Sequence, residues 1–315
     1  MDLAALNRRA WDRQAESGGP WSRPVGSEII EHARSGRWAI RLTPNRDVPA
    51  DWFPKLTDLA VLCLAGSGGQ QAPVLAAAGA RVTVLDNSSA QLALDRQVAE
   101  REGLYLQLDQ GDMRDLARYG KGSFDLVVHP VSNCFVDRVD MVWDECYRVL
   151  RPGGRLLAGF LNPALFIFDE AADREHGELV VRHRLPYADL EFMGADEIER
   201  RVNRGDGMTF SHCLEAQIGG QLEAGFLLAG LYEDDWNDEA TALNRYMPTS
   251  LATLGVRPET GGGGPGKTSW LRLPAARIAA AFSRRETGAS AVRGSLQDRL
   301  RWRSHADSGS RRSLR

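Results

Sequence analysis

The amino-acid sequence predicts an α/β fold built on a doubly wound, mostly parallel sheet. Three observations carry that expectation. From residue 59 to 160, apolar runs of strand length alternate with helical segments. The runs are continuously apolar, as strands buried on both faces are. Glycine and proline stand at the junctions, where helices stop and turns begin.

Taken in order, "LAVLCLA" (59–65) is a strand, and "QQAPVLAAAGA" is a helix closed by Gly79. "RVTVLD" (81–86) is a second strand. Asn87 or Ser88 then offers an N-cap to the helix "SAQLALDRQVAERE", which stops at Gly103. "LYLQLDQGD" and "FDLVVHP" read as the third and fourth strands, "VDMVWDECYRVL" as a helix ended by Pro152-Gly153, and "RLLAGF" as the fifth strand. Past it, "GELVVRHRLPY" (177–187) reads as a strand and Ala195–Arg204 as a polar helix. "SHCLEAQIGGQLEA" repeats apolar residues at Leu214, Ile218 and Leu222, a helical spacing. Its Gly219-Gly220 pair costs about 1 kcal/mol per glycine in a helix interior, and a close backbone approach is the expected compensation. "FLLAGLYED" and "TSLATLGV" read as the last two strands.

Composition bounds the function. The chain has 315 residues, 43% hydrophobic and 26% charged, as ordinary globular proteins have. No run approaches the roughly 18 apolar residues of a membrane span, and "MDLAALNRRAWDRQ" turns charged before a secretory apolar region could form. Cys63, Cys134, Cys146 and Cys213 are too dispersed for a zinc site or a disulfide framework. No metal is expected, and a cytoplasmic location is. From Arg257 onward, twelve arginines and Lys267 face Glu259, Glu286, Asp298 and Asp307, a net +9. With −3 overall, the first 256 residues therefore hold −12. So acidic a body repels a nucleic-acid backbone. Residues 257–315, rich in Arg, Ser and Gly, read as a disordered basic tail with at most a short helix near Ala275–Phe282. Within it, "GGGGPGKT" (261–268) satisfies the phosphate-loop pattern but lacks a strand leading straight into it, so it is read as a linker.

The chemistry begins at "VLCLAGSGGQQ". In a doubly wound sheet the ligand lies outside the carboxyl ends of the strands, next to the first. Ala65, Gly66, Ser67, Gly68 and Gly69 allow close backbone approach there. Asp86, about 20 residues on, ends the second strand, where a carboxylate can accept two ribose hydroxyls. The dinucleotide fingerprint needs a third glycine where Gln71 stands, which disfavours a nicotinamide dehydrogenase. S-adenosylmethionine, which carries no pyrophosphate, is the alternative. "GDMRDL" supports it by putting Asp112 within reach of an adenine amino group, with the Met113 amide beside it.

From about Leu59 to Phe160, the glycine loop, Asp86, "GDMRDL", "FDLVVHP" and "YRVLRPGGRLLAGF" together resemble a class I methyltransferase of the type-11 kind. The resemblance implies a seven-stranded sheet closed by an antiparallel hairpin, S-adenosylmethionine as cofactor, and a methyltransferase domain over 59–256. It matches Asp86 to the ribose-binding acid, and Asp112 and Met113 to the adenine contacts, with Asn87 a further cofactor-binding candidate. The loop departs from the family form, with Cys63 where an acid is common and Ala65 and Ser67 replacing two glycines. Residues 1–58 and the insertion 161–210 correspond to lid elements, with Trp11, Trp21, Phe166, Phe168 and Tyr187 as lid aromatics. Trp21, Asn133 and Tyr187 are candidate acceptor contacts.

Methyl transfer from a sulfonium needs alignment and exclusion of water, and a base only if the acceptor loses a proton. His129, leaving the fourth strand with Ser132 and Asn133 just beyond, is the candidate base or a shaper of the pocket wall. "HPVSN" differs from the loop of amide and adenine N-methyltransferases. The expected activity is methylation of a small molecule. An RNA acceptor, a non-catalytic module that binds the cofactor, and an NAD-dependent oxidoreductase are the alternatives.

Overall fold

A computed structural model describes residues 2–236 and 240–259. Seven strands form one sheet in the order β3-β2-β1-β4-β5-β7-β6. They are β1 (Ala60–Leu64), β2 (Arg81–Asp86), β3 (Leu106–Gln110), β4 (Phe124–His129), β5 (Leu150–Leu161), β6 (Leu227–Asp234) and β7 (Ser250–Val256). β1 to β5 pair in parallel, and β7 runs antiparallel to both neighbours, so the sheet is mixed at one edge. The chain order reverses at β1, which is flanked by β2 and β4. That switch point opens the crevice in which doubly wound sheets bind ligands.

Alternate residues of β1 supply two cores. Val61 and Cys63 join Val84, Leu126, Leu157 and Leu254 on one face, while Leu62 and Leu64 join Leu85, Val127, Leu156 and Trp143 on the other. The first face is covered by α2 (Ser27–Arg34), α3 (Gln71–Ala77) and α4 (Ser89–Glu102), and the second by α5 (Val139–Val149). Both faces are dry, which is why the strands read as unbroken apolar runs. α4 has the ends its sequence announces: Ser88 Oγ accepts the Gln91 amide at 3.1 Å, and Gly103 closes the helix at φ 64°. The four tryptophans of the N-terminal segment divide. Trp38 packs on Phe53 and Trp52 on Tyr232 in the core, whereas Trp11 and Trp21 line cavities.

The N-terminal helix α1 (Leu3–Ser17) pairs with the insertion after β5, which carries α6 (Glu170–His176), α7 (Asp189–Phe192) and α8 (Ala195–Arg204). Leu6 and Ala10 of α1 meet Ile198 and Val202 of α8 and Met208 in a third small core. Asn7 locks it: its Oδ1 accepts the Met208 amide at 2.6 Å, and its Nδ2 donates to the carbonyls of Met208 and Phe135. Among the described residues, no helix is long and apolar enough to cross a membrane.

Two sequence expectations are corrected, the strand at 177–187 and the start of the tail at Arg257, and two helices gain detail the sequence lacks. Residues 177–187 form no strand and make only one bridge, between Phe168 and Val181. α5 ends at Val149, before Pro152-Gly153; Arg151–Gly154 instead bulge out of the β4–β5 ladder, where the register shifts. The row Leu214, Ile218, Leu222 does not face the core, since Leu214 and Leu222 are 45% and 51% exposed while Gln217 and Gln221 are buried. A π-helical turn at Glu215–Gly219, continued by α9 (Gly220–Glu223), rotates the buried face onto the two glutamines. Close approach does explain Gly220, where a Cβ would stand 2.9 Å from the Trp143 ring. Finally, Arg257, placed in the tail by the sequence, is buried and donates to the carbonyls of Tyr147 and Leu150 at 2.7 and 2.5 Å. The rest of the expected tail from residue 260 on, including the phosphate-loop lookalike, lies outside the described residues.

Candidate active site

The carboxyl ends of β1, β2, β3 and β4 surround a small cavity of about 60 Å³. Of the residues the sequence marks as cofactor candidates, Ala65, Ser67, Asp86, Asn87, Asp112 and Met113 line it, together with Gln91, Gly111, Arg114 and Ser132. α1 supplies the opposite wall through Leu3, Ala4, Asn7 and Trp11. Gly66, Gly68 and Gly69 do not line it.

The loop bends sharply where it meets the cavity. Ala65 and Ser67 adopt φ of 45° and 64°, the left-handed region that costs a residue with a Cβ about 1–2 kcal/mol. Its second half turns to α4: Gly68 N–H donates to Gln91 Oε1 and Gly69 N–H to Asp95 Oδ1, both at 2.8 Å. Gly68 must be glycine, because a Cβ would lie 2.2 Å from the Gln91 carbonyl oxygen.

Asp86 is buried, and its Oδ1 accepts the Ser88 amide at 2.8 Å. Burial pushes its carboxyl up to about 7, against that hydrogen bond, and the nearby Asp12 adds to the rise. Asp95 is likewise pushed up to about 8, mainly by burial. Asp112 behaves differently. Burial would raise its carboxyl, but hydrogen bonds from the Arg114 side chain and backbone outweigh it and hold it below the usual range. Arg114 Nη2 donates to Asp112 Oδ2 at 2.6 Å, and Arg114 also pairs with Asp137. α1 is fastened beside these acids. Ser88 Oγ donates to Asp12 Oδ1 at 2.5 Å, and Asn87 Nδ2 to the Ala4 carbonyl at 2.7 Å.

A larger cavity of about 500 Å³ adjoins the first, and both are lined by Trp11, Ser67, Val131 and Phe135. Trp21, a candidate acceptor contact, lines it and faces Trp236 at 5.0 Å between ring centroids. Gln71, at the place of the missing third glycine, also lines it and accepts the Arg41 amide at 3.2 Å.

Besides the three loop glycines, three more candidate site residues line neither cavity. His129 is fully buried and lines neither cavity. Its Nδ1 lies 3.3 Å from the Leu64 carbonyl, which can only accept, so the proton sits on Nδ1. That leaves Nε2 as a buried acceptor without a hydrogen-bond partner. Burial also lowers its pKa to about 4, so the ring is neutral at pH 7. Asn133 is buried and paired with Gln217. Tyr187 lines neither cavity; it stacks on Phe192 at 5.1 Å and donates to Asp189 Oδ1. Reading the sequence missed Asp12, Gln91, Asp95 and Trp236. Gln91 and Asp95 did leave a trace, as polar residues one turn apart beside the apolar positions Leu92 and Val98.

The arrangement fits an adenosyl cofactor. A buried carboxylate ends β2, a second follows β3, and a bent loop of small residues closes the cavity between them. Residues 62–158 match the sequence model of a family described as "Methyltransferase domain". The chain belongs to the class I S-adenosylmethionine-dependent methyltransferases. In particular, it is 48% identical over 255 residues, 81% of its own length and 98% of the other's, to the "Uncharacterized methyltransferase YbaJ" of Bacillus subtilis. It is 34% identical over 147 residues, 42% of this chain and 57% of the other, to a ubiquinone/menaquinone biosynthesis C-methyltransferase of Sinorhizobium fredii. A solved S-adenosylmethionine-dependent methyltransferase from Mesorhizobium loti shares the fold, with TM-score 0.51 and 17% identity over 66% of this chain and 94% of that one.

Proposed function

We propose that this methyltransferase acts on an uncharged, ring-bearing small molecule bound in the larger cavity. The observation that carries the reading is the wall common to the two cavities, which puts an acceptor beside the cofactor site. Trp11, Trp21, Phe135 and Trp236 offer apolar ring faces to a planar or alicyclic skeleton. The charged side chains in the described lining already have partners. Arg41 pairs with Asp47, Arg201 with Glu170 and Asp189, and Asp206 with Arg204. Burying an ionic acceptor there would leave its charge without a counter-charge among them.

When bound, S-adenosylmethionine supplies a methyl group on sulfur that is open to in-line attack. Asp86 and Asn87 would hold the ribose, Asp112 and the Met113 amide the adenine, and the Ala65–Ser67 bend the methionine portion. The chain's own contribution is alignment and exclusion of water. In this reading His129 shapes the wall beneath Ser132 and does not act as a base. α1 and the insertion carrying α8 serve as the lid. α1 forms the wall of the small cavity opposite the strand ends, so it would close over the bound cofactor.

A screen that follows release of S-adenosylhomocysteine tests the proposal. Uncharged aromatic and alicyclic amines, alcohols and thiols should turn over, and their carboxylated analogues should be poorer by about tenfold or more. Turnover confined to carboxylates or to RNA would overturn it.

A further inference from the structure

The cofactor loop is held by two side chains of one helix face, Gln91 at the edge of the small cavity and Asp95 outside it. Gln91 and Asp95 are four residues apart on α4, so they project together toward the same neighbour. Both are buried, and each accepts one of two consecutive loop amides, Gly68 and Gly69, at 2.8 Å. Those amides are consequently turned from the cavity, and it is Ala65 and Ser67, with left-handed backbones, that line it. A bend of that kind persists only where its surroundings over-determine it. Gln91 also reaches the other way. Its Nε2 donates to Ser22 Oγ at 2.6 Å and to the Trp11 carbonyl at 3.4 Å, and Trp11 lines both cavities.

We propose that Gln91 and Asp95 are positioning residues for the cofactor. They clamp the Gly68–Gly69 half of the loop onto α4 so that the Ala65–Ser67 half keeps its ligand-facing bend, and Gln91 ties that bend to α1. Neither side chain needs to touch the reacting atoms. The inference is independent of which acceptor the larger cavity takes.

Binding of S-adenosylhomocysteine by calorimetry, with amide hydrogen exchange over residues 66–70, tests the clamp on the full chain. Asp95→Leu and Gln91→Leu keep side-chain size and remove the acceptor. Each should weaken binding by about tenfold and speed exchange of the loop amides. Asp95→Asn retains a carbonyl oxygen at the same place and should bind within about threefold of the parent. Val98→Ala, one turn further along α4 in the apolar core, controls for general loss of stability and should leave affinity and loop exchange unchanged. Should Asp95→Leu not fold, Gln91→Leu and Asp95→Asn decide the matter. The clamp is overturned if the leucine variants bind like the parent, if Val98→Ala weakens binding equally, or if Asp95→Asn fails to restore it.

Discussion

Asn133 and Gln217 satisfy each other. Asn133 Nδ2 donates to Gln217 Oε1 at 2.9 Å, and Gln217 Nε2 donates back to Asn133 Oδ1 at 3.2 Å, with both residues buried. An amide pair so engaged has little to offer an acceptor. Gln217→Leu, which strands the buried Asn133 amide, should lower the unfolding free energy by about 1–3 kcal/mol in urea titration. Affinity for S-adenosylhomocysteine should be unchanged, and a parallel loss of affinity would return Asn133 to the site.

His129 makes a prediction about acid. Its pKa is lowered by burial from 6.5 to about 4. Above pH 6.5 the ring is neutral in both folded and unfolded chains, and its contribution to stability is fully present. As pH falls from 6.5 to about 4, the unfolded chain takes up the proton first and stability drains away. His129→Asn should flatten the decline in that window when stability is followed by denaturant titration. It should also retain turnover on a true acceptor, because the ring lines neither cavity. Loss of turnover in folded His129→Asn protein would restore the base.

Asp86 and Asp95 work in the opposite sense. Their folded pKa values are raised, to about 7 and about 8. The stability they contribute is whole below pH 3.8 and is lost as pH climbs through 7 and 8. Asp12 faces Asp86 and sharpens the effect. Ribose hydroxyls donate best to an ionised carboxylate, so S-adenosylhomocysteine affinity should rise from pH 6 to 8. Asp86→Ala should weaken binding by about 10- to 100-fold and abolish that rise. A pH-independent affinity in the parent enzyme would contradict the assignment.

The contribution of Arg257 can be tested by truncation. Arg257 carries three short links to the α5–β5 corner: hydrogen bonds to the Tyr147 and Leu150 carbonyls, and a cation–π contact 4.6 Å from the Tyr147 ring centre. A chain ending at Thr260 should keep the parent's melting temperature. One ending at Val256 should be about 1–3 kcal/mol less stable by calorimetry, since it leaves buried carbonyls unpaired. Equal stability of the two would mean that Arg257 is incidental.

Much of the sheet was legible along the chain because strand length, helix caps and glycine stops are local signals. Ser88 caps α4 and Gly103 ends it, as the sequence says. The row Leu214, Ile218, Leu222 marks a helix, as found, but helical spacing says that a face exists, not which side meets protein. Gly220 against Trp143 and the hydrogen bond of Gln221 with Thr253 chose the glutamine side. Tyr187 stands in the insertion that the sequence marks as a lid, yet Phe192 and Asp189 hold it in a cluster of their own.

By itself, then, the sequence determined the order of the seven sheet strands and set Asp86 and Asp112 after β2 and β3, where both line one cavity. Each of these follows from periodicity and from residue type at a strand terminus. Only tertiary structure decided which loop amides face the cavity, that His129 and Asn133 are sealed in the core, and that Trp21 meets Trp236. Those outcomes depend on contacts between residues distant in the chain, such as Asn7 with Met208, whose partners no local pattern names. Burial and hydrogen bonding are settled by packing in three dimensions, after the chain has folded back on itself.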